Sequence, residues 1–236
     1  MNALKVLLAI IYSVAFANGQ GLPNLPRKPP PQFESRSFCP AIGLESNDHN
    51  DPELNKAKNR VDDSVRYFPV SFDEIKNLEK PPTFRKTKRS TWTQADKAVI
   101  AKYEGTPIQL EGFLVLTVKG NRLVGAVLQN AELCNCHRPE PEHRDFHLWM
   151  VAKIGYLKDK SIVIEMTPRV RKNHPNWIVA NLSYIGINRL PIRVSGWLMF
   201  DQEHAGHIRT GHRANLWEIH PIMKFEYKER GQWKTL

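Results

Sequence analysis

Between residues 108 and 227 the apolar side chains recur mainly at every second position, and one stretch alone changes to helical spacing. Ile108, Leu110, Gly112, Leu114 and Leu116 alternate with Gln109, Glu111, Phe113, Val115 and Thr117. Successive side chains of a strand point to opposite faces, so this pattern predicts a long strand with one face buried. Lys119-Gly120-Asn121 turns the chain, and residues 123–128 read as the return strand. Residues 146–153 and 161–167 are further runs rich in β-branched and aromatic residues, joined by a turn-like segment, and Pro168 stops the second. Trp177, Ile178, Ala180, Asn181, Leu182 and Ile185 then fall at helical spacing, with Gly186 as the end signal. Ile192, Val194, Gly196, Leu198 and Phe200 restore the alternation, and residues 216–227 supply the last strand.

A helix precedes this series. Ala95, Ala98, Val99, Ile100 and Tyr103 lie largely opposite Asp96, Lys97 and Lys102, with Thr91 or Thr93 as cap and Gly105 as stop. The expected fold class is therefore mainly β: a small OB-like five-stranded barrel with one internal helix and a preceding short helix. Gly112 and Gly196 fit that expectation, because a strand coiling around a small barrel needs a bend or bulge. An SH3-like barrel uses similar strands, and the single internal helix favours the OB order.

The N-terminus carries a different signal. Lys5 opens a positive segment, residues 6–17 are apolar or small, and Ala15-Phe16-Ala17 reads as a cleavage site, so residues 1–17 are expected to be a secretory signal peptide. A run of that length rises only about 18 Å as a helix, too short for a hydrocarbon core of about 30 Å. No later stretch is long and apolar enough to span a membrane, so no transmembrane anchor is expected in the mature chain, which is expected to be secreted or periplasmic. Residues 18–91 contain PNLPRKPPP, SNDHNDPE and EKPPTFRKTKRS and read as a mostly disordered, Pro-rich and charged leader. Within it, Val61, Val65 and Phe68, or Phe72 and Ile75, suffice for a turn or two of docking helix. Residues 92–236 form the expected barrel domain.

The formal net charge is +10, which favours negatively charged partners. Two clusters concentrate it: Arg85, Lys86, Lys88 and Arg89 in the leader, and Arg169, Arg171, Lys172 and His174 in the domain. A solvated face is the plain reading and a polyanion contact the sharper one. Three cysteines in an oxidising compartment leave one thiol over. Cys134 and Cys136 are too close in sequence for an unstrained bond, so a bridge from Cys39 to one of them is expected. Cys134-Asn135-Cys136-His137 could instead gather a metal, for which a disulfide or a small buried cysteine is the stronger alternative.

The segments IQLEGFLV, CNCH, FHLWMVA, IEMTPRVRKNHPNW, IRVSGWLMFDQEH and LWEIHPIMKFE resemble a recurrent set of exported bacterial proteins of unassigned function with an OB-fold-like domain ending in a W-E-I-H-P strand. The resemblance spans most of residues 105–227. It implies an OB-like fold and brings no activity with it.

The residues themselves define three readings. Positions two apart on a strand share a face, so Asp145 and His147 project together, as do Glu218 and His220. With Glu165, Thr167, Asp201, Glu203 and His204, and with eight of nine histidines between residues 137 and 220, a barrel rim could gather a metal site. A divalent metal is then the candidate cofactor, His147, His204 and His220 the candidate ligands beside Asp145 and Glu165. Asp145, Glu165, Arg169 and Glu218 are the candidate catalytic groups of a metal-assisted phosphoesterase or nuclease. No strict ligand spacing motif accompanies them. In the leading reading the domain binds an anionic polymer, nucleic acid or glycan, through Arg169, Arg171, Lys172, His174, Trp197 and Trp217, with aromatics stacking and cations following the backbone. Core or inter-strand packing is the plainer role for Trp149, Trp197 and Trp217, and stacking on a ligand the sharper one. In the third reading the protein is structural and docks on an envelope component.

Overall fold

The computed structural model describes residues 22–30, 39–44, 51–83, 88–119 and 122–236. The expected signal peptide, Arg85 and Lys86 lie outside them.

Ten strands follow in chain order: β1 (Phe68–Pro69), β2 (Pro107–Leu114), β3 (Thr117–Lys119), β4 (Arg122–Gly125), β5 (Leu128–Asn130), β6 (Asp145–Val151), β7 (Ile162–Met166), β8 (Ile192–Phe200), β9 (Trp217–Glu229) and β10 (Gln232–Thr235). The helices are α1 (Pro52–Lys58), α2 (Phe72–Lys76), α3 (Gln94–Tyr103), α4 (Pro168–Arg171), α5 (Val179–Ile187) and α6 (Gly206–Arg209).

Five strands close a barrel in the order β2-β8-β9-β7-β6 and back to β2. All contacts are antiparallel except β7 on β9, where Ile164 faces Ile219 in parallel. With α5 between the third and fourth barrel strands, this is the expected OB-like barrel, and α3 is its preceding helix. Thr93 caps α3 by accepting from the Asp96 N–H, and Gly105 follows at φ +78°.

Alternation fills the interior. Ile108, Leu110, Leu148, Met150, Ile162, Ile164, Val194, Leu198, Ile219 and Phe225 are buried in one continuous core. At Gly112 β2 leaves β8 for β6, and a Cβ there would collide with the Val151 carbonyl. The β8 register on β9 shifts at Gly196, against which the Pro221 carbonyl packs. Both glycines therefore sit where the barrel bends.

Two features differ from expectation. The hairpin of β3 and β4 forms its own small sheet, outside the barrel. Residues 51–83, expected within a loose leader, pack against the barrel: Leu54, Phe72 and Ile75 are buried, and β1 adds to β2 in parallel. Val61 and Val65 instead face solvent. Polar contacts hold this segment as well as apolar ones. Asn55 donates to the Ile42 carbonyl at 2.7 Å, and Asn59 to the carbonyls of Ala41 and Cys134 at 3.0 and 2.6 Å. The Arg60 guanidinium lies 3.4 Å over the Trp197 ring and pairs with Asp62. The Cys39–Cys136 disulfide in turn ties residues 39–44, whose carbonyls accept from Asn55 and Asn59, to the loop before β6. Such anchors leave no periodic trace in a sequence.

Candidate functional site

Along β6, β7, β8 and β9 the residues that point away from the interior are partly ionic. Phe146, Leu148 and Met150 enter the main core, whereas Trp149 and Val151 join a separate outer cluster with Val163. His147 and Asp145 share their side of β6, Glu165 that of Val163 on β7, Glu218 and His220 that opposite Ile219 on β9. Met199, on the outward side of β8, packs under Leu54 and Ala57 of α1. An ionic layer thus lies between the barrel wall and the N-terminal segment.

Register brings these groups together. His147 is directly opposite Glu165, with Nδ1 2.5 Å from Oε1. The other Glu165 oxygen, Oε2, is 3.4 Å from His220 Nδ1, which lies 3.1 Å from Glu218 Oε1. Arg213 Nη1 then bridges Glu218 Oε2 at 3.0 Å and Asp201 Oδ2 at 2.9 Å, and Asp201 Oδ2 meets His204 Nδ1 at 2.6 Å. At the other edge, Asp145 accepts from the Asn135 amide, and the Cys134 thiol stands 3.8 Å from Asp145 Oδ2 and 3.7 Å from Glu132 Oε2. Lys58 of α1 joins Glu132 and Glu203 at 2.9 and 2.8 Å.

The electrostatics follow from burial set against these partners. Burial pushes the Asp145 carboxyl well up, helped by the Glu132 charge. Burial also presses on Glu165, but His147 and His220 overcome it and hold that carboxyl below its ordinary value. Burial opposes charge on His220 as well, yet Glu165 and Glu218 raise it to about 9. Asp201 raises His204 to about 9. Burial, with Asp145 and Glu132 beside it, pushes the Cys134 thiol well up.

Two sets of donors lie close enough to share an ion. Asp145, Glu165 and His220 each offer a ligand atom, all within 4.8 Å of one another, and so do Glu132, Cys134 and Asp145. Asp145 Oδ1 and Glu165 Oε2 are buried and have no hydrogen-bond partner among the described residues. Buried polar atoms are ordinarily satisfied, so these oxygens are the candidate ligand atoms of the layer. Imidazole with carboxylates suits zinc or manganese. A cavity of about 1040 Å³, lined in part by Lys88, Glu132, Glu203, His204 and His207, opens beside this layer. It lies between the loops that follow the first and fourth barrel strands, a binding region of OB barrels.

Of the residues expected at a metal site, Asp145, Glu165 and His220 converge, with His147 and Glu218 hydrogen-bonded or ion-paired around them. His204 sits at the edge, its ring 6.4 Å from that of His147. The expected polymer-binding set is not brought together. Trp197 and Trp217 are 1% and 0% exposed, and their indole N–H groups donate to the Asp62 and Glu79 carbonyls, so packing is their role and stacking on a ligand is excluded. Arg169 is buried and donates to the Cys39 carbonyl. Arg171 donates to the Arg144 carbonyl and lies 3.8 Å over Phe146, and His174 stacks on Trp177 at 4.0 Å. Lys172 is exposed. In the leader cluster, Arg89 is buried in a bidentate pair with Glu104. Cys39 pairs with Cys136, one of the two expected alternatives, and leaves Cys134 as a buried free thiol.

Lys58, Glu132 and Arg213 were not legible as site residues. Arg213 lies in a polar loop and Lys58 in a segment without apolar pattern; only the proximity of Glu132 to the cysteine pair offered a signal.

No helix among the described residues is long and apolar enough to cross a membrane. No family model, curated protein or solved structure matches the chain.

Proposed function

We propose that the protein is an exported metal-dependent phosphoesterase whose ion is held by Asp145, Glu165 and His220 on the outer wall of the barrel. The observation that carries this reading is the convergence of those three donors, with Asp145 Oδ1 buried and without a hydrogen-bond partner among the described residues and Glu165 Oε2 buried with only the 3.4 Å contact to His220 Nδ1. A divalent ion held by these three residues would supply Lewis acidity toward a phosphoester and would activate water.

The surrounding residues have separate tasks. His147 orients Glu165 through its Nδ1 contact, and Glu218 orients His220, the outer support that metal ligands ordinarily require. Arg213 offsets the charge of Glu218 and Asp201 where water is excluded. The adjacent cavity is the place for substrate: Lys88 and a His204 kept protonated by Asp201 provide positive charge there for a phosphoester, while Asp145, Glu165 and His220 are buried and do not line it. Export is supported by the apolar N-terminal run and by the Cys39–Cys136 disulfide, a bond suited to oxidising compartments. A polymer platform built on the Arg169 to His174 segment is disfavoured, because Arg169, Arg171 and His174 are engaged by the protein itself.

The test is hydrolysis of bis(p-nitrophenyl) phosphate by the purified full chain, first stripped with chelator and then supplied with zinc, manganese or calcium. The expected result is cleavage that needs the added ion and falls at least 100-fold in Glu165→Gln. Absence of cleavage with every ion would overturn the enzymatic reading.

A further inference from the structure

The second donor set carries more than the first accounts for. Glu132, Cys134 and Asp145 approach within 4.8 Å of one another, and Asp145 belongs to both sets. Lys58 is committed to Glu132 and Glu203 at 2.9 and 2.8 Å, and the Arg169 and Arg171 guanidiniums, whose charges act on Asp145, donate to the Cys39 and Arg144 carbonyls, so no cation among the described residues makes a direct ion pair with Asp145 or Cys134. Cys134 is 1% exposed and Asp145 is wholly buried, so water does not screen them. Asp145 has one oxygen, Oδ2, toward the sulfur at 3.8 Å and the other, Oδ1, without a partner among the described residues. The neighbouring Asn135, also wholly buried, leaves its Oδ1 unpartnered there too. A carboxylate placed between two donor sets, with one oxygen unused, has the form of a bridge.

We infer that the site holds two divalent ions bridged by the Asp145 carboxylate, the second ligated by the Cys134 thiolate and Glu132. This rests on the metal reading of Asp145, Glu165 and His220 and deepens it. Ligation breaks the S–H bond, forms a metal–sulfur bond and releases the thiol proton to solvent, so no oxidant or reductant is needed. The thiolate makes the second position selective for a zinc-like ion over magnesium or calcium. Paired ions also fit the proposed substrate class, since two-metal centres clamp both the attacking and the leaving oxygen of a phosphoryl displacement.

The experiment titrates the chelator-stripped full chain, disulfide intact, with cobalt(II), reading bound cobalt by elemental analysis after desalting and the thiolate-to-cobalt charge-transfer band in the near ultraviolet. Two cobalt ions per chain with that band are expected. Cys134→Ser should lose the band and retain one ion, with unchanged far-ultraviolet circular dichroism. One ion and no band in the unmodified protein would overturn the second position while leaving the first standing. No bound cobalt would overturn both. Because the band is read on the unmodified chain, the outcome does not depend on the variant folding.

Discussion

Arg213 shows most plainly what single residues do in this layer. Its side chain is 0% exposed and its Nη1 serves both Asp201 and Glu218. Removing one partner of a buried ionic group leaves the others uncompensated, at a cost of about 3–5 kcal/mol. Arg213→Met should therefore lower the unfolding free energy by about that amount, read from the urea midpoint at constant slope; a loss below about 1 kcal/mol would mean the two carboxylates are not charged together. His204 gives a pH signature. Asp201 raises it from 6.5 to about 9, so its contribution to stability is complete below pH 6.5 and is lost as pH rises through 9. In chelator, the stability gap between the parent and His204→Gln should shrink across that interval. A gap independent of pH would contradict the Asp201 pairing.

At the scale of elements, α1 acts as a cover. It packs Leu54 and Ala57 on Met199 while setting Lys58 among Glu132 and Glu203. Leu54→Ala should cost about 2–5 kcal/mol because Leu54 is 0% exposed, whereas Val65→Ala, at a fully exposed position, should change stability by less than about 0.5 kcal/mol. Thermal unfolding of both variants checks the contrast, and equal losses would mean α1 is not seated as described. The disulfide secures the same cover across 97 residues, a separation for which loop closure is worth about 4–5 kcal/mol. Cys39→Ser should destabilise by about 2–5 kcal/mol in urea unfolding; no change would mean the polar anchors suffice alone.

These elements also explain what could be read from the chain in advance. The barrel strands were legible because one face of each meets a common core, which imposes period-two alternation on residues 108–116 and 192–200. The pairs Asp145 and His147, and Glu218 and His220, were legible for the same geometric reason. The cover was not, because Asn55 and Asn59 are fixed by the carbonyls of Ile42 and Cys134 and Arg60 by the Trp197 indole, all distant in sequence. Trp197 and Trp217 left packing and stacking both open, because a tryptophan on a strand looks alike on paper whether it faces solvent or core. The loop that delivers Arg213 has no pattern, since its place is set by the carboxylates it meets.

For the molecule as a whole, the barrel supplies rigidity and its outer wall supplies chemistry. Apolar side chains fill the interior, so the ionic groups of β6, β7 and β9 occupy the opposite face beneath the N-terminal segment, with the cavity lined by His204 and Glu132 at their edge. That arrangement places carboxylates and imidazoles in a dry environment where like charges need a proton or a cation between them. The proposed ion would be that cation. Its most direct test is elemental analysis of the full chain after equilibration with zinc and desalting, beside Glu165→Gln and His220→Gln. The account predicts stoichiometric zinc in the parent and a loss of at least one ion per chain in each variant, and a parent protein that retains no zinc would contradict it.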